Sequence, residues 1–396
     1  MLARYLYYFI LFTDTLVLLV QTQNLSISFS EASLLYEKNS FLQSVINFSF
    51  SLFGQNDLSL RFPMIIFHLS SIILIYEIAK EYIPKSRDRT WFIFIFVLLP
   101  GVISSAVIVN SAGLVIFGLL LFLYLYKKVS LFYVNVLLLF YAIIDIGFSY
   151  LFLGLITYYV TQRKNYLALY TLLLYLINSY LFGFDASGSP AGHFLDTIGV
   201  YSAIFTPIIF IYLVYALYRT YLTSKLDILW YIATVALIVS LVLSFRQRVA
   251  VEHFAPYLIV ALPIAAKLFI HSYRVRLKIF RMKYKLAFVI SIIFLILNAF
   301  IVFFNQELYT VLEKPKQHFA YKMHIAKELS LELKKYGVSC VNTDKKMQKR
   351  LLFYEISKCV EHTLIEVPLN RSTSDVTVRY KDKVLYRANV TNINSI

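Results

Sequence analysis

Few side chains in this 396-residue sequence are placed to do chemistry. Six carboxylates fall in polar segments between apolar runs: Glu31, Glu37, Asp57, Asp185, Asp196 and Glu252. A carboxylate in such a segment can take a proton from an attacking hydroxyl or help to hold a divalent metal. Glu31 is the first choice for a base, because it opens the first long polar segment. Arg61, Arg246 and Arg248, with His253, supply the donors and positive charge that suit a lipid phosphate. Asp185, His193 and Asp196, in FGFDASGSPAGHFLDT, are further candidates for substrate contact. Plainer readings stand beside these. Ser30-Glu31 also spells a helix N-cap followed by a first-turn acid, and Arg61 at a membrane edge can simply extend toward headgroups. Asp14, His68, Glu77 and Asp145 lie in or at the ends of apolar runs, where an ionisable group is a functional candidate by default. No metal-ligand cluster, glycine-rich phosphate loop or Ser/His/Asp spacing stands out. A divalent metal stays possible, and no other cofactor is implied.

The elements that must carry these residues are membrane helices. Apolar residues make up 59% of the sequence and charged ones 15%, against about a quarter charged in soluble proteins. The apolar runs are continuous rather than alternating, which excludes a β-barrel as well as a soluble enzyme. The net charge of +16 does not call for a nucleic-acid partner, because the basic residues sit between apolar runs. Candidate spans cover 4–20, 62–79, 91–109, 112–126, 166–182, 198–218, 228–244, 254–271 and 286–304, with a longer stretch at 131–160. If that stretch crosses twice, turning near Asp145-Ile146-Gly147, 16 loop Lys and Arg lie on one side and four (Lys38, Arg61, Arg246, Arg248) on the other. The positive-inside rule then gives an all-α polytopic membrane bundle of about eleven spans, N-terminus cytoplasmic and C-terminus outside. A re-entrant pair at 131–160 is an acceptable variant. The first 20 residues read as a retained span, since no small-residue cleavage site follows them.

On this reading 1–304 is a membrane domain with a first outer loop at 21–61, and 305–396 is a small extracytoplasmic α/β module. Within the loop, FLQSVINFSFSLFG repeats apolar residues at helical spacing (Phe41, Val45, Phe48, Leu52). It predicts a helix ended by Gly54, lying among headgroups or packed on the bundle. In the tail the pattern predicts helices at 317–336 and 345–357, strands at 338–341 and 363–367, and a hairpin joining 376–380 to 384–387. Cys340 and Cys359, the two cysteines, can form a disulfide in an oxidising compartment or stay as two buried thiols.

Several segments together carry a resemblance. They are SEASLLY after the first span, FLQSVINFSFSLFGQNDLSLRFP, a span ending IYEIAKEY, and LLPGVISSAVIVNSAGLVIFGLLLFLYLY. The set resembles the GT-C membrane glycosyltransferases, nearest the protein mannosyltransferase and aminoarabinose transferase branch. VEHFAPYLIVALPIAAKL resembles that family's late H-Y-x-x-P-x-x-P segment, so the likeness extends over roughly two-thirds of the chain. The resemblance implies a GT-C-like fold in the cell (inner) membrane with a periplasmic tail. It also implies a polyprenyl-phosphate-linked sugar donor and a lipid, glycan or protein acceptor at the outer face. Transfer would be inverting, with an acid at the start of the first outer loop as base. Two positions depart from the pattern. The family's Asp-Glu pair is Ser30-Glu31 here, and its acid before the fourth span is replaced by Asn110-Ser111. Three readings follow. The first is a transferase with Glu31 as base, Asp185 or Asp196 as substitutes, and Arg61, Arg246 and Arg248 on the phosphate. The second is a non-catalytic relative that binds lipid-linked glycans in envelope assembly. The third is a flippase for such lipids, for which the expected internal repeats are not seen.

Overall fold

In a medium without water, a backbone built from long runs of Leu, Ile, Phe and Tyr can bond only to itself, and the runs become helices. The computed structural model describes every residue except 1, 38, 185–191, 224, 370–373 and 393–396. The helices in chain order begin with α1 (Leu2–Asn24), α2 (Phe29–Glu37), α3 (Phe41–Phe53) and α4 (Asp57–Tyr82). Next come α5 (Ser86–Leu98), α6 (Pro100–Val107), α7 (Ser111–Lys128), α8 (Leu131–Ile144), α9 (Ser149–Thr161) and α10 (Asn165–Phe182). They continue with α11 (Phe194–Phe205), α12 (Pro207–Thr223), α13 (Ile228–Ser244), α14 (Val251–Val260), α15 (Leu262–Val275) and α16 (Lys278–Phe303). The tail holds the short α17 (Leu308–Val311), α18 (Ala326–Lys335), α19 (Lys345–Phe353) and strands β1 (His362–Glu366), β2 (Val376–Tyr380) and β3 (Lys383–Asn392).

Among the described residues, α1, α4, α7, α10 and α16 are long and apolar enough to cross a membrane. Three bent pairs raise the number to eight if each is one span: α5–α6 (61°), α11–α12 (104°) and α14–α15 (41°). The expectation of about eleven crossings is therefore met at the coarser level of a mostly helical bundle with five to eight candidate spans. Proline accounts for two of the bends. Pro100 and Pro207 open α6 and α12, and neither has an N–H to continue the preceding helix. The 131–160 stretch does break at Asp145, into helices of 14 and 13 residues.

The chain divides into two compact units. One, the bundle unit, comprises 1–16 and 64–299; the other, the loop–tail unit, comprises 17–63 and 300–396. The first outer loop and the tail, read from sequence as parts of different domains, share a unit.

In the bundle unit the break at Asp145 is fully partnered. Asn178 Nδ2 donates to the carbonyls of Ala142 (2.9 Å) and Asp145 (3.1 Å), and the Asp145 carboxylate accepts from Gly147 N–H at 2.7 Å. The Tyr257 hydroxyl donates to Gly147 O (2.5 Å) and accepts from Leu151 N–H (2.9 Å). These bonds satisfy the backbone groups that a helix break inside apolar surroundings would otherwise orphan.

In the loop–tail unit, α3 forms as the spacing predicts. Ser40 Oγ accepts from Gln43 N–H at its start, and Gly54, with φ 72°, ends it in a conformation that costs a glycine little. Leu42 and Ile46 are buried, while Phe41, Phe48 and Leu52 form an exposed apolar stripe. The sheet has the antiparallel order β1-β3-β2, with Tyr380 paired to Lys383 at the hairpin and Leu364 to Val390 on the other side. Its core joins Leu329, Leu333, Val341, Leu351, Ile356, Leu364, Val378 and Leu385. Three tail expectations are corrected. The helix expected from 317 begins only at Ala326, because His318 donates from Nε2 to Asn305 O (2.7 Å) and accepts from Ala320 N–H (2.9 Å), which holds the preceding chain in 3-10 turns. The second helix stops at Phe353, before Glu355 takes a φ of 66°. The strand at 338–341 reduces to isolated bridges, Cys340 to Ser357 and Asn342 to Thr363. Cys340 and Cys359 are disulfide-bonded, with Cα atoms 5.4 Å apart.

Candidate functional site

The entry into α2 sets the first part of the site. Ser28 Oγ accepts from Glu31 N–H (3.2 Å) while Glu31 Oε2 accepts from Ser28 N–H (2.8 Å). This reciprocal pair is a capping box, so the cap is Ser28 rather than the Ser30 expected from the sequence. Ser30 is exposed and touches Ser28 Oγ at 3.0 Å.

Arg61, in the second turn of α4, closes on that cap. Its Nη1 donates to the carbonyls of Thr22 (3.2 Å) and Leu25 (2.7 Å), and its Nη2 to Ser26 O (3.1 Å) and Glu31 Oε2 (3.2 Å). Both side chains of the Arg61–Glu31 pair are wholly buried. The carbonyls belong to the end of α1 and the turn into α2, so one guanidinium gathers three segments. Neither role expected for the two residues fits this burial. Arg61 is spent on protein carbonyls rather than offered to a lipid phosphate, and Glu31 is enclosed and engaged rather than open to an acceptor.

Asp57, one helical turn before Arg61 and 3.8 Å from its Nη1, is also buried, with a side chain 6% exposed, but unlike Glu31 it borders a cleft. The Tyr354 hydroxyl donates to Asp57 Oδ1 (2.7 Å) and accepts from Ile27 N–H (3.0 Å). Lys327 Nζ lies 3.0 Å from Asp57 Oδ2 and donates to Gln23 O at 2.8 Å. Arg350 Nε donates to Ile27 O (3.0 Å), and its Nη2 bonds to Lys322 O. Burial, with Asp57 alongside, pushes the Tyr354 phenol well up, so it stays a protonated donor. Burial lowers the Arg350 guanidinium without discharging it. Beside Asp57 lies a cleft of about 570 Å³ whose wall includes Gln55, Lys327, Lys334, Tyr354 and Glu355.

These groups do not suit a divalent metal. Asp57 meets an ammonium and a phenol O–H, and Glu31 Oε2 meets a guanidinium and an amide N–H. Among the described residues, no three of His, Cys, Asp and Glu come together.

The remaining expected site residues belong to the bundle unit. His193 Nδ1 and Asp196 Oδ2 are 3.1 Å apart at the start of α11. His193 N–H donates to Ser244 O (2.9 Å), and Phe194 stacks on Phe245, so the starts of α11 and of the segment after α13 meet there. Arg246 and Arg248 are exposed in the turn after α13, and His253 is half-buried in the first turn of α14. Asp185 lies outside the described residues. Asn110, where the resemblance implies an acid, caps α7 by accepting from Ala112 N–H. Asp14 and His68 pair with each other, Oδ2 to Nε2 at 2.7 Å, and the His68 ring lies parallel to Phe96.

The sequence places Asp57 among six candidate carboxylates without singling it out, although its spacing of four from Arg61 is that of a helical ion pair. Lys327, Arg350 and Tyr354 carried no local signal. No protein-family model matches the chain, and no curated protein matches it.

Proposed function

We propose that the chain is a membrane glycosyltransferase of GT-C type. It spans the cytoplasmic membrane about eleven times, with its N-terminus inside and the loop–tail unit on the outer face, and it moves a sugar from a polyprenyl phosphate to an acceptor hydroxyl. The observation that supports this best is Asp57 at the edge of a cleft, steered by Tyr354 and Lys327. As the acceptor oxygen bonds to the anomeric carbon, the bond to the lipid phosphate breaks and Asp57 takes the hydroxyl proton. Glu31 and Arg61 are positioning residues that fix the backbone on which Asp57 stands.

A second reading, a non-catalytic relative that binds lipid-linked glycans, is favoured by one observation. Ser30 is exposed where the resemblance implies an acid, and the neighbouring Glu31 is enclosed. The two readings part in cells lacking the chain. A transferase leaves its lipid-linked sugar to accumulate, and complementation with the unaltered chain clears it while Asp57→Asn does not. Clearance by Asp57→Asn as complete as by the unaltered chain favours the second reading.

A further inference from the structure

The charge inside the cleft beside Asp57 is balanced. Two ammonium groups face it, Lys327 and Lys334, and each has a carboxylate at 3.0 Å, Asp57 and Glu355 respectively. Two positive and two negative groups leave no formal charge, so a phosphate or sulfate would meet repulsion as well as attraction at close range. What the wall offers instead is neutral hydrogen bonding from the Gln23 amide and from the Gln55 amide, of which one Nε2–H already donates to Phe353 O (2.8 Å); the Asn56 amide and the Ser330 hydroxyl are bonded within the protein. An amide side chain carries donors and acceptors together, which is the pairing that adjacent sugar hydroxyls present. A space of about 570 Å³ lies within the range of small-ligand sites.

We propose that this cleft binds an uncharged saccharide, which makes a neutral glycan the acceptor; the word acceptor, though not the binding itself, rests on the transferase reading of the same site. Gln55 comes from the first loop, while Lys327 and Lys334 come from α18, so the tail helps to set which sugar is taken.

The test uses the full chain in lipid nanodiscs free of sugar-headgroup detergent. It is applied to an array of uncharged di- and trisaccharides of hexoses and N-acetylhexosamines, with inorganic phosphate as competitor. At least one neutral glycan binds, and phosphate does not displace it. Leu331 is an exposed residue of the cleft wall outside the polar network. Leu331→Trp fills the space and weakens binding about tenfold or more, with the thermal midpoint unchanged. A blank array, displacement by phosphate, or full binding by Leu331→Trp overturns the proposal. A blank array beside failed clearance by Asp57→Asn sinks the saccharide site and spares the transferase. Array binding beside normal clearance by Asp57→Asn does the reverse.

Discussion

Two buried acid–base pairs, one in each unit, are built differently. In the loop–tail unit Glu31 meets an arginine, and that arginine also holds three backbone carbonyls. In the bundle unit Asp14 meets a histidine, through one contact at 2.7 Å and a ring packed on Phe96. The guanidinium holds four acceptors from three segments at once, so the first pair acts as a clasp. The second pair is a single hydrogen bond between two helices of an apolar bundle. Burial of charge thus serves two ends in one chain: backbone placement where several segments converge, and a local two-helix contact where they do not.

The largest effect is expected at the clasp. Arg61→Met strands a buried carboxylate and should cost about 3–5 kcal/mol, read as a large fall in thermal midpoint of the purified protein. Arg61→Met with Glu31→Leu should lose less than Arg61→Met alone, because no lone charge remains. Equal loss in single and double variants would show that the carbonyl contacts, not the ion pair, matter.

Next comes the tail that borders the clasp. The disulfide brackets α19, with Arg350 and Tyr354, in a sequence separation of 19 residues. Reduction, or Cys340→Ser with Cys359→Ser, should cost on the order of 3 kcal/mol, with faster hydrogen exchange at 27–31 and 345–354. A bundle unit that loosens equally under the same treatment would erase the contrast between the units.

The tail should also respond to acid. Burial, reinforced by His318 nearby, pushes His324 down to about 4, and its ring Nδ1 bonds the Tyr309 hydroxyl at 2.9 Å. The unfolded chain binds that proton near 6.5 and the folded one near 4, so the stabilisation is complete above about 6.5 and is lost as pH falls toward 4. The loss is on the order of 3 kcal/mol. Unfolding midpoints measured across this window should slope in the unaltered chain and flatten in His324→Gln; an unchanged slope would assign the acid response to another group.

A smaller effect is expected in the bundle. Asp14→Asn removes a charge from one hydrogen bond and should cost about 1–2 kcal/mol, well short of Arg61→Met. The smallest is at the exposed stripe of α3. Phe48→Ser and Leu52→Ser should change stability in detergent by less than about 0.5 kcal/mol, because both side chains are exposed. If the stripe meets lipid, the same pair should lower the midpoint in nanodiscs.

Much of this was readable where the signal is local. Ser40 and Gly54 bracket α3, Asp145 breaks the long apolar stretch, and Lys381-Asp382 turns the hairpin. The capping box at Ser28 and Glu31 was equally local, four consecutive residues of S-x-x-E form, yet the nearer serine drew the assignment. What could not be read was pairing across the chain. Asp57 is completed by Tyr354, almost 300 positions later, and Asp14 by His68 on another helix. Helical periodicity says which face is apolar, not which distant polar group meets it. The bends at Pro100 and Pro207 were visible as residues but not as angles, so the sequence did not show that these spans are broken into bent pairs.

The most direct test is glycan output per folded molecule for Asp57→Asn, with the amount of folded chain counted by detergent-resistant size exclusion and the surface glycans profiled in the same cells. The account predicts that output falls by at least about a hundredfold, the usual scale for removing a general base, while folded protein remains. Output equal to that of the unaltered chain, from the same amount of folded protein, would contradict it.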